Sequence, residues 1–327
     1  MMWLSSEFNR MAEQTLKVYE PEEAFFSTLI YGPAGVGKST LLLKCYKRLK
    51  NKKPILYIDA QDFVKNYAFA AQEGTLSRFR LRLRTPTLLI LDHIEMLKGK
   101  THSIEEFYHT YEALFQGNSR IICGFRGEPS QLEFLGDKLS SRLLGGLAVP
   151  IFQPTPEDRL NYLRLMAYRK FLIVEDLVLE LMAEEVANFP EAQSLMNGFI
   201  EFANRSDSAL DRDALSFYLQ ERRHKEKLRP SPQNIVQKAA ELTGIAAEDI
   251  YGTTRTSEVR QARQLAIYVM RSLSRLSYPE IGTFLNKSHS SIMKSYQQFQ
   301  EGIKKSPELK EKLESLLKYF NSREDVN

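Results

Sequence analysis

Gly32-Pro33-Ala34-Gly35-Val36-Gly37-Lys38-Ser39 constrains the folding of this chain more than any other stretch. Its G-x-x-x-x-G-K-S spacing follows a strand-like run, Phe26 to Tyr31, and precedes a helix-like one from Lys38. Strand, tight turn and helix are thereby fixed in that order. Glycines at 32, 35 and 37 let backbone N–H groups close on phosphate oxygens, Lys38 reaches the β/γ oxygens, and the Ser39 hydroxyl ligates Mg²⁺. Thr40 follows in the same first turn, and the positive end of the helix dipole points at the same place. The stretch reads as a cradle for ATP or ADP with Mg²⁺.

Apolar runs continue the pattern at Ile55 to Asp59, Thr87 to Asp92, Arg120 to Phe125 and Leu147 to Phe152. Helical runs Lys38 to Leu49, Gln61 to Gln72 and Ile104 to Phe115 separate them, the βαβ rhythm of a parallel sheet covered on both faces. After Pro154-Thr155-Pro156 the strands cease, and residues 157–224 read as consecutive amphipathic helices. The charged stretch 221–229 runs into Pro230 and Pro232, a helix end and linker. The expected division is an α/β P-loop domain over 1–155, an all-helical lid with linker helix over 156–229, and an all-α domain over 230–327. In the last, helices are expected near 233–243, 258–274, 278–285, 289–302 and 307–320.

Leu88-Leu89-Ile90-Leu91-Asp92 is an apolar strand ending in a carboxylate, about 60 residues beyond the P-loop, the form of a Walker B strand whose Asp holds the water shell of Mg²⁺. His93 follows, where an ATPase of this class carries the carboxylate that activates water. It either contacts a phosphate or fills the site. Arg142 lies just before the last strand, where oligomeric P-loop ATPases place an arginine finger that reaches a neighbour's γ-phosphate. A solvated surface arginine is the plain alternative.

Ser277 to Ile292 reads as helix, tight turn, helix, with Ile281, Leu285, Ile292 and Tyr296 forming the interior of a helix-turn-helix. Ser288 can N-cap the second helix, so that His289, Ser290 and Ser291 project from its first turn toward base edges. Lys287 and Lys294 flank that turn within reach of phosphates. A second basic set, Arg255, Arg260, Arg263, Arg271 and Arg275, spans a loop and the helix after it, with Arg263 and Arg271 two turns apart on one face. The net charge of +4 is too small to indicate nucleic acid by itself, but residues 228–305 carry 11 Lys/Arg against 6 Asp/Glu. The positive charge is thus concentrated in the helix-turn-helix region. Cys45 and Cys123 sit in apolar runs and read as buried thiols of a reducing compartment. No run approaches the ~20 apolar residues of a membrane span, so the expectation is a cytoplasmic protein, nucleoid-associated if the helix-turn-helix binds DNA.

In this order of parts the chain resembles the bacterial chromosomal replication initiator family, DnaA, an AAA+ ATPase joined to a C-terminal DNA-binding domain. The resemblance also rests on Ser6 to Ala12, Tyr57 to Phe63, Glu105 to Tyr111, Pro279-Glu280-Ile281-Gly282 and His289-Ser290-Ser291. It implies ATP binding, recognition of short boxes in double-stranded origin DNA, and ATP-dependent assembly with copies of itself or another initiator. It also implies a weak contact of the lid with acidic phospholipid. Gly32, Gly35, Gly37, Lys38 and Ser39 match the family's phosphate loop, Asp92 its Walker B aspartate and Arg142 its arginine finger. Arg255 matches the family's minor-groove arginine, and Arg263, Arg271, Lys287, His289, Ser290 and Ser291 match positions that contact DNA.

Departures cluster around the γ-phosphate. His93 replaces the second Walker B carboxylate, Cys123-Gly124-Phe125-Arg126 replaces the polar sensor stretch, and no arginine stands between Ala183 and Asn204 for the lid. Removing one such group often costs ~10² to 10⁴ in rate. The expectation is a short member, lacking the family's helicase-interaction domain, in which nucleotide acts as an assembly switch. It would either fire an origin or regulate another initiator. Ser288 stands where the family has Asp, relaxing readout at one base. The alternative is an active ATPase such as a helicase loader or transposition helper.

Overall fold

The apolar runs between residues 27 and 150 become parallel strands because they are rich in aliphatic residues and helices cover both faces. The computed structural model describes residues 3–321 apart from 253, 255 and 275, with the backbone alone at 225–228, 289, 290 and 321. Its first part runs α1 (Arg10–Lys17), β1 (Ser27–Gly32), α2 (Lys38–Leu49), β2 (Ile55–Asp59), α3 (Ala60–Gln72), α4 (Leu76–Arg84), β3 (Leu88–Asp92), α5 (Thr101–Gln116), β4 (Arg120–Arg126), α6 (Asp137–Leu144) and β5 (Leu147–Pro150). The strands form one parallel sheet in the order β2-β3-β4-β1-β5. β1 lies between β4 and β5, with Ile30 beside Gly124 and Val149. Every residue of β3 is buried. Its four aliphatic side chains contribute on the order of 8 kcal/mol of transfer free energy before chain entropy is set against it.

The helix α4 is additional to those expected. Alternating Arg78, Arg80, Arg82 and Arg84 resemble the two-residue period of a strand, but Arg80 and Arg84 are one helical turn apart and both grip Glu106, which is 2% exposed. Arg80 contributes Nε and Nη2, each within 3.1 Å of the carboxylate. β5 stops at Pro150, two residues before the expected strand end, although Ile151 N–H still donates to Tyr31 O at 2.8 Å.

The lid comprises α7 (Pro156–Arg169), α8 (Asp176–Glu184) and α9 (Phe189–Ser206). Thr155 and Asp158 form a capping box with Pro156 in the first turn, so the Pro-Thr-Pro that ends the strands also starts a helix. The chain divides into two compact units, 1–216 and 217–327. The lid joins the sheet domain because Phe189 packs on Phe8, ring centroids 5.5 Å apart, as well as on Tyr162 at 4.5 Å. The division falls inside α10 (Arg212–Leu228), which ends within the expected lid-and-linker segment.

The second unit continues with α11 (Pro232–Thr243), α12 (Ala247–Tyr251), α13 (Ser257–Ser272), α14 (Tyr278–Phe284), α15 (His289–Gly302) and α16 (Pro307–Asn321). Ile267, Met270, Ile281, Leu285, Ile292, Phe299 and Leu316 form its core, each at most 1% exposed. Tyr296, expected in that interior, is half-buried and stacks on Tyr268 at 5.2 Å and 14°.

Candidate functional site

The P-loop opens into a cleft of about 470 Å³ at the carboxyl ends of the strands. An open parallel sheet offers its crevice there, where the chain leaves β1 for a helix. Gly37, at φ +100°, is the N-cap of α2; a side chain at this backbone angle is strained, so glycine alone turns the amides inward without cost. Gly35, Gly37, Lys38, Ser39 and Thr40 line the cleft, and Gly32 ends β1 beneath it. The Lys38 ammonium donates to Gly32 O at 2.8 Å and Pro33 O at 2.5 Å. Burial holds Lys38 below the usual lysine range, Glu95 and Asp92 pull it back up, and Arg126 pushes it further down.

Asp92 is fully buried and has both oxygens engaged: Tyr57 OH donates to Oδ2 at 2.8 Å and the His93 N–H to Oδ1 at 2.9 Å. Burial and this carboxylate hold the Tyr57 hydroxyl far above its ordinary pKa. Gly124 makes the approach possible, since a Cβ there would run into Asp92 Oδ1. Asp92 therefore stands behind the cleft wall, and His93 takes the frontal position. His93 occupies the left-handed region at φ 56°, uncommon for a side chain of its size. Its Nδ1 lies 2.7 Å from Asp59 Oδ2 and its Nε2 3.2 Å from Ser39 Oγ. When Nδ1–H donates to Asp59, Nε2 accepts the Ser39 hydroxyl. Asp59 divides its work, since Oδ1 accepts the Gln61 N–H that caps α3.

Trp3, Tyr162, Phe189 and Pro190 form an apolar flank of the cleft, with the Lys44 ammonium 4.5 Å from the Trp3 ring. Sequence reasoning misses these aromatics: they lie far from the P-loop along the chain, and single Trp, Tyr and Phe residues carry no motif. α9 thus brings Phe189, Pro190 and Gln193 to the cleft.

Arg142 is expected as a finger offered to a neighbour. Instead its guanidinium pairs with Glu112 of the same chain and lies over the Tyr108 ring at 5.3 Å. Its backbone carbonyl accepts from Ser27 and Tyr111, which fixes the end of α6 against β1.

In the second unit, α14 and α15 form the expected helix-turn-helix. Ser277 and Glu280 make a capping box at its start, Asn286 turns at φ 50°, and Ser288 N-caps α15 by accepting the Ser291 N–H. Ser291 and Lys294 are exposed. Arg255 and Arg275 lie outside the described residues, as do the side chains of His289 and Ser290. Arg263, expected at DNA, is instead directed at its own backbone. Its Nε donates to Ile250 O and its Nη2 to Asp249 O, both at 2.7 Å, and further bonds reach Gly252 O and Thr254 O. Burial among these carbonyls lowers its pKa. Lys287 donates to the same Gly252 O at 2.8 Å, and Arg271 donates to Leu276 O while lying over Tyr278. A guanidinium is a fork of donors, so it can serve several carbonyls of this loop at once, while the nearby Asp249 charge partly offsets the lowering by burial.

Two family models match the chain: residues 3–150 fit the bacterial DnaA ATPase domain, and residues 232–298 the bacterial DnaA helix-turn-helix. The chain belongs to the DnaA family. DnaA of Thermus thermophilus is 31% identical over 286 residues, covering 86% of this chain and 66% of that protein. DnaA of Deinococcus radiodurans is 29% identical over 309 residues, covering 93% and 66%. The chain thus spans 66% of the length of these curated relatives. AMPPCP-bound DnaA from Aquifex aeolicus shares the fold at TM-score 0.60 and 23% identity, over 98% of this chain and 96% of that one. Domain III of Thermotoga maritima DnaA, at TM-score 0.60 and 24% identity, covers 67% of this chain and 94% of its own. The first unit is accordingly an AAA+ domain and the second a helix-turn-helix domain. No helix among the described residues is long and apolar enough to cross a membrane.

Proposed function

We propose that this protein binds ATP or ADP and sequence-specific double-stranded DNA, and initiates or regulates chromosomal replication at an origin, with nucleotide as an assembly switch. The carrying observation is an open phosphate cradle at Gly32 to Thr40 in the same chain as a well-formed helix-turn-helix. Relatives' descriptions support the reading: DnaA bound to AMPPCP and single-stranded DNA is described as a replication initiator.

A bound nucleotide supplies phosphate charge that differs between ATP and ADP. The chain's part is to receive it. Lys38 exchanges Gly32 O and Pro33 O for phosphate oxygens, while the amides after Gly35 and the α2 N-terminus cradle them. Mg²⁺ would be held by Ser39 and supply positive charge beside the phosphates. Ser39 would then give up its contact with His93, and Asp92 would turn toward the ion only by parting from Tyr57. The switch reading follows from His93, whose imidazole is already committed to Ser39 and Asp59.

In the second unit, Ser288 to Ser291 present the first turn of α15 to base edges, and exposed Lys294 meets phosphates. Arg142 would serve a neighbour only after leaving Glu112. Nucleotide binding set against turnover tests the reading. We expect binding with slow hydrolysis; rapid turnover abolished by Asp92→Asn overturns the switch.

A further inference from the structure

Among the described residues, Lys38 and Arg126 are the two side chains lining the cleft that are cationic at any ordinary pH. Their arrangement follows from the sheet. β4 pairs with β1 so that Arg126 lies beside Gly32, the residue where the P-loop begins. The next residue, Gly127, bridges back to Gly32, its N–H donating to Gly32 O at 3.3 Å. The Lys38 ammonium rests on that same carbonyl. The Arg126 backbone is thus held at the edge of the cradle, and its side chain is exposed into the cleft. No ion pair occupies its guanidinium among the described residues.

Glu95 completes the group. It comes from the 3₁₀ turn Ile94–Leu97 that follows His93, and its Oε2 accepts the Arg126 backbone N–H at 3.0 Å. Its Oε1 is buried without a hydrogen-bond partner. Burial raises the Glu95 pKa, and Glu95 is the acid acting most strongly on Lys38. Glu95 thus brings an unpartnered carboxylate oxygen to a cleft that Lys38 and Arg126 also line.

A P-loop lysine reaches the β- and γ-phosphates, and Arg126 lines the same cleft as Lys38. We infer that Arg126 reads the third phosphate from within its own chain, and that Glu95 opposes it, so that the pair sets the preference of this cleft between nucleoside triphosphate and diphosphate. Arg126 gains charge-assisted hydrogen bonds only when the γ-phosphate is present. Glu95 repels that same charge and is tolerated beside a diphosphate. The two residues therefore act with opposite sign on one equilibrium, which neither a merely structural arginine nor a merely structural glutamate would do. The inference rests on the nucleotide reading of the cleft.

Calorimetric titration of the full chain with AMPPCP and, separately, ADP, both with Mg²⁺, tests it without hydrolysis as a readout. For Arg126→Ala we expect AMPPCP affinity to fall about tenfold or more, the size of one charge-assisted hydrogen bond, with ADP affinity held. Arg126→Lys recovers part of the loss. Glu95→Gln moves the AMPPCP-to-ADP ratio the other way. Thermal melting checks that each variant is folded, and exposed Arg126 can be exchanged with little cost to the core. An unchanged ratio in Arg126→Ala, or an equal loss for both nucleotides, overturns the inference while leaving the cradle intact. If the wild-type chain binds neither nucleotide, the reading of the cleft fails and this inference with it.

Discussion

Arg263→Ala separates two roles that look alike along the sequence. If Arg263 neutralised a DNA phosphate, its loss would reduce the slope of log affinity against log salt by about 0.9 and leave the fold alone. The observed bonds give a different expectation. The guanidinium makes two 2.7 Å bonds to Ile250 O and Asp249 O, with longer ones to Gly252 O and Thr254 O. Discounted for partial exposure, the two short bonds contribute about 1 kcal/mol each, so the variant loses about 2 kcal/mol. For a unit of this size that lowers the melting temperature by about 8 °C. DNA affinity falls as well, because the loop before α13 loses its brace. Fluorescence anisotropy on duplex DNA over a salt series, with calorimetric melting, reads both quantities. An unchanged melting temperature with a slope reduced by about 0.9 would return Arg263 to the DNA surface.

Other outcomes follow from contacts in the first unit. Glu106→Ala strands Arg80 and Arg84; because both arginines are partly solvated, the loss should be about 2 kcal/mol by denaturant titration rather than the ~3 to 5 of a fully buried pair. Gly124→Ala drives a methyl group against Asp92 Oδ1 and Leu42, and should cost about 1 to 3 kcal/mol and weaken nucleotide binding, both measurable by melting with and without ADP. Glu95 has a raised folded pKa, so without nucleotide its contribution to stability is complete below the ordinary carboxylate range and is lost as pH rises through that range to the raised value. Glu95→Gln should therefore stabilise the apo protein at neutral pH and flatten its profile above the ordinary carboxylate range, as read by melting across a pH series. Glu112→Ala frees Arg142 and should raise AMPPCP-dependent assembly in sedimentation velocity; unchanged assembly would count against a finger role.

Where function depends on residues adjacent along the chain, the sequence was legible. The P-loop, the apolar run into Asp92 and the Ser288 cap are each local patterns whose geometry follows from backbone preference. α4 was concealed because its arginine period suits a strand, and the buried partner that makes it a helix, Glu106, lies 22 residues beyond Arg84. The roles of His93 and Arg263 were hidden for a related reason. Spacing shows that a cation or an imidazole is near a site, but whether it faces ligand or backbone depends on acceptors supplied by other elements: Asp59 from the end of β2, and the carbonyls of Asp249, Ile250, Gly252 and Thr254. The aromatic flank of Trp3, Tyr162 and Phe189 exists only once the lid has packed on the sheet.

The reading as a whole stands or falls on recovery of genomic duplex fragments by the full chain with AMPPCP and with ADP at moderate salt. We expect fragments enriched at discrete loci, with occupancy greater in AMPPCP. Recovery no different from bulk DNA with either nucleotide would contradict it.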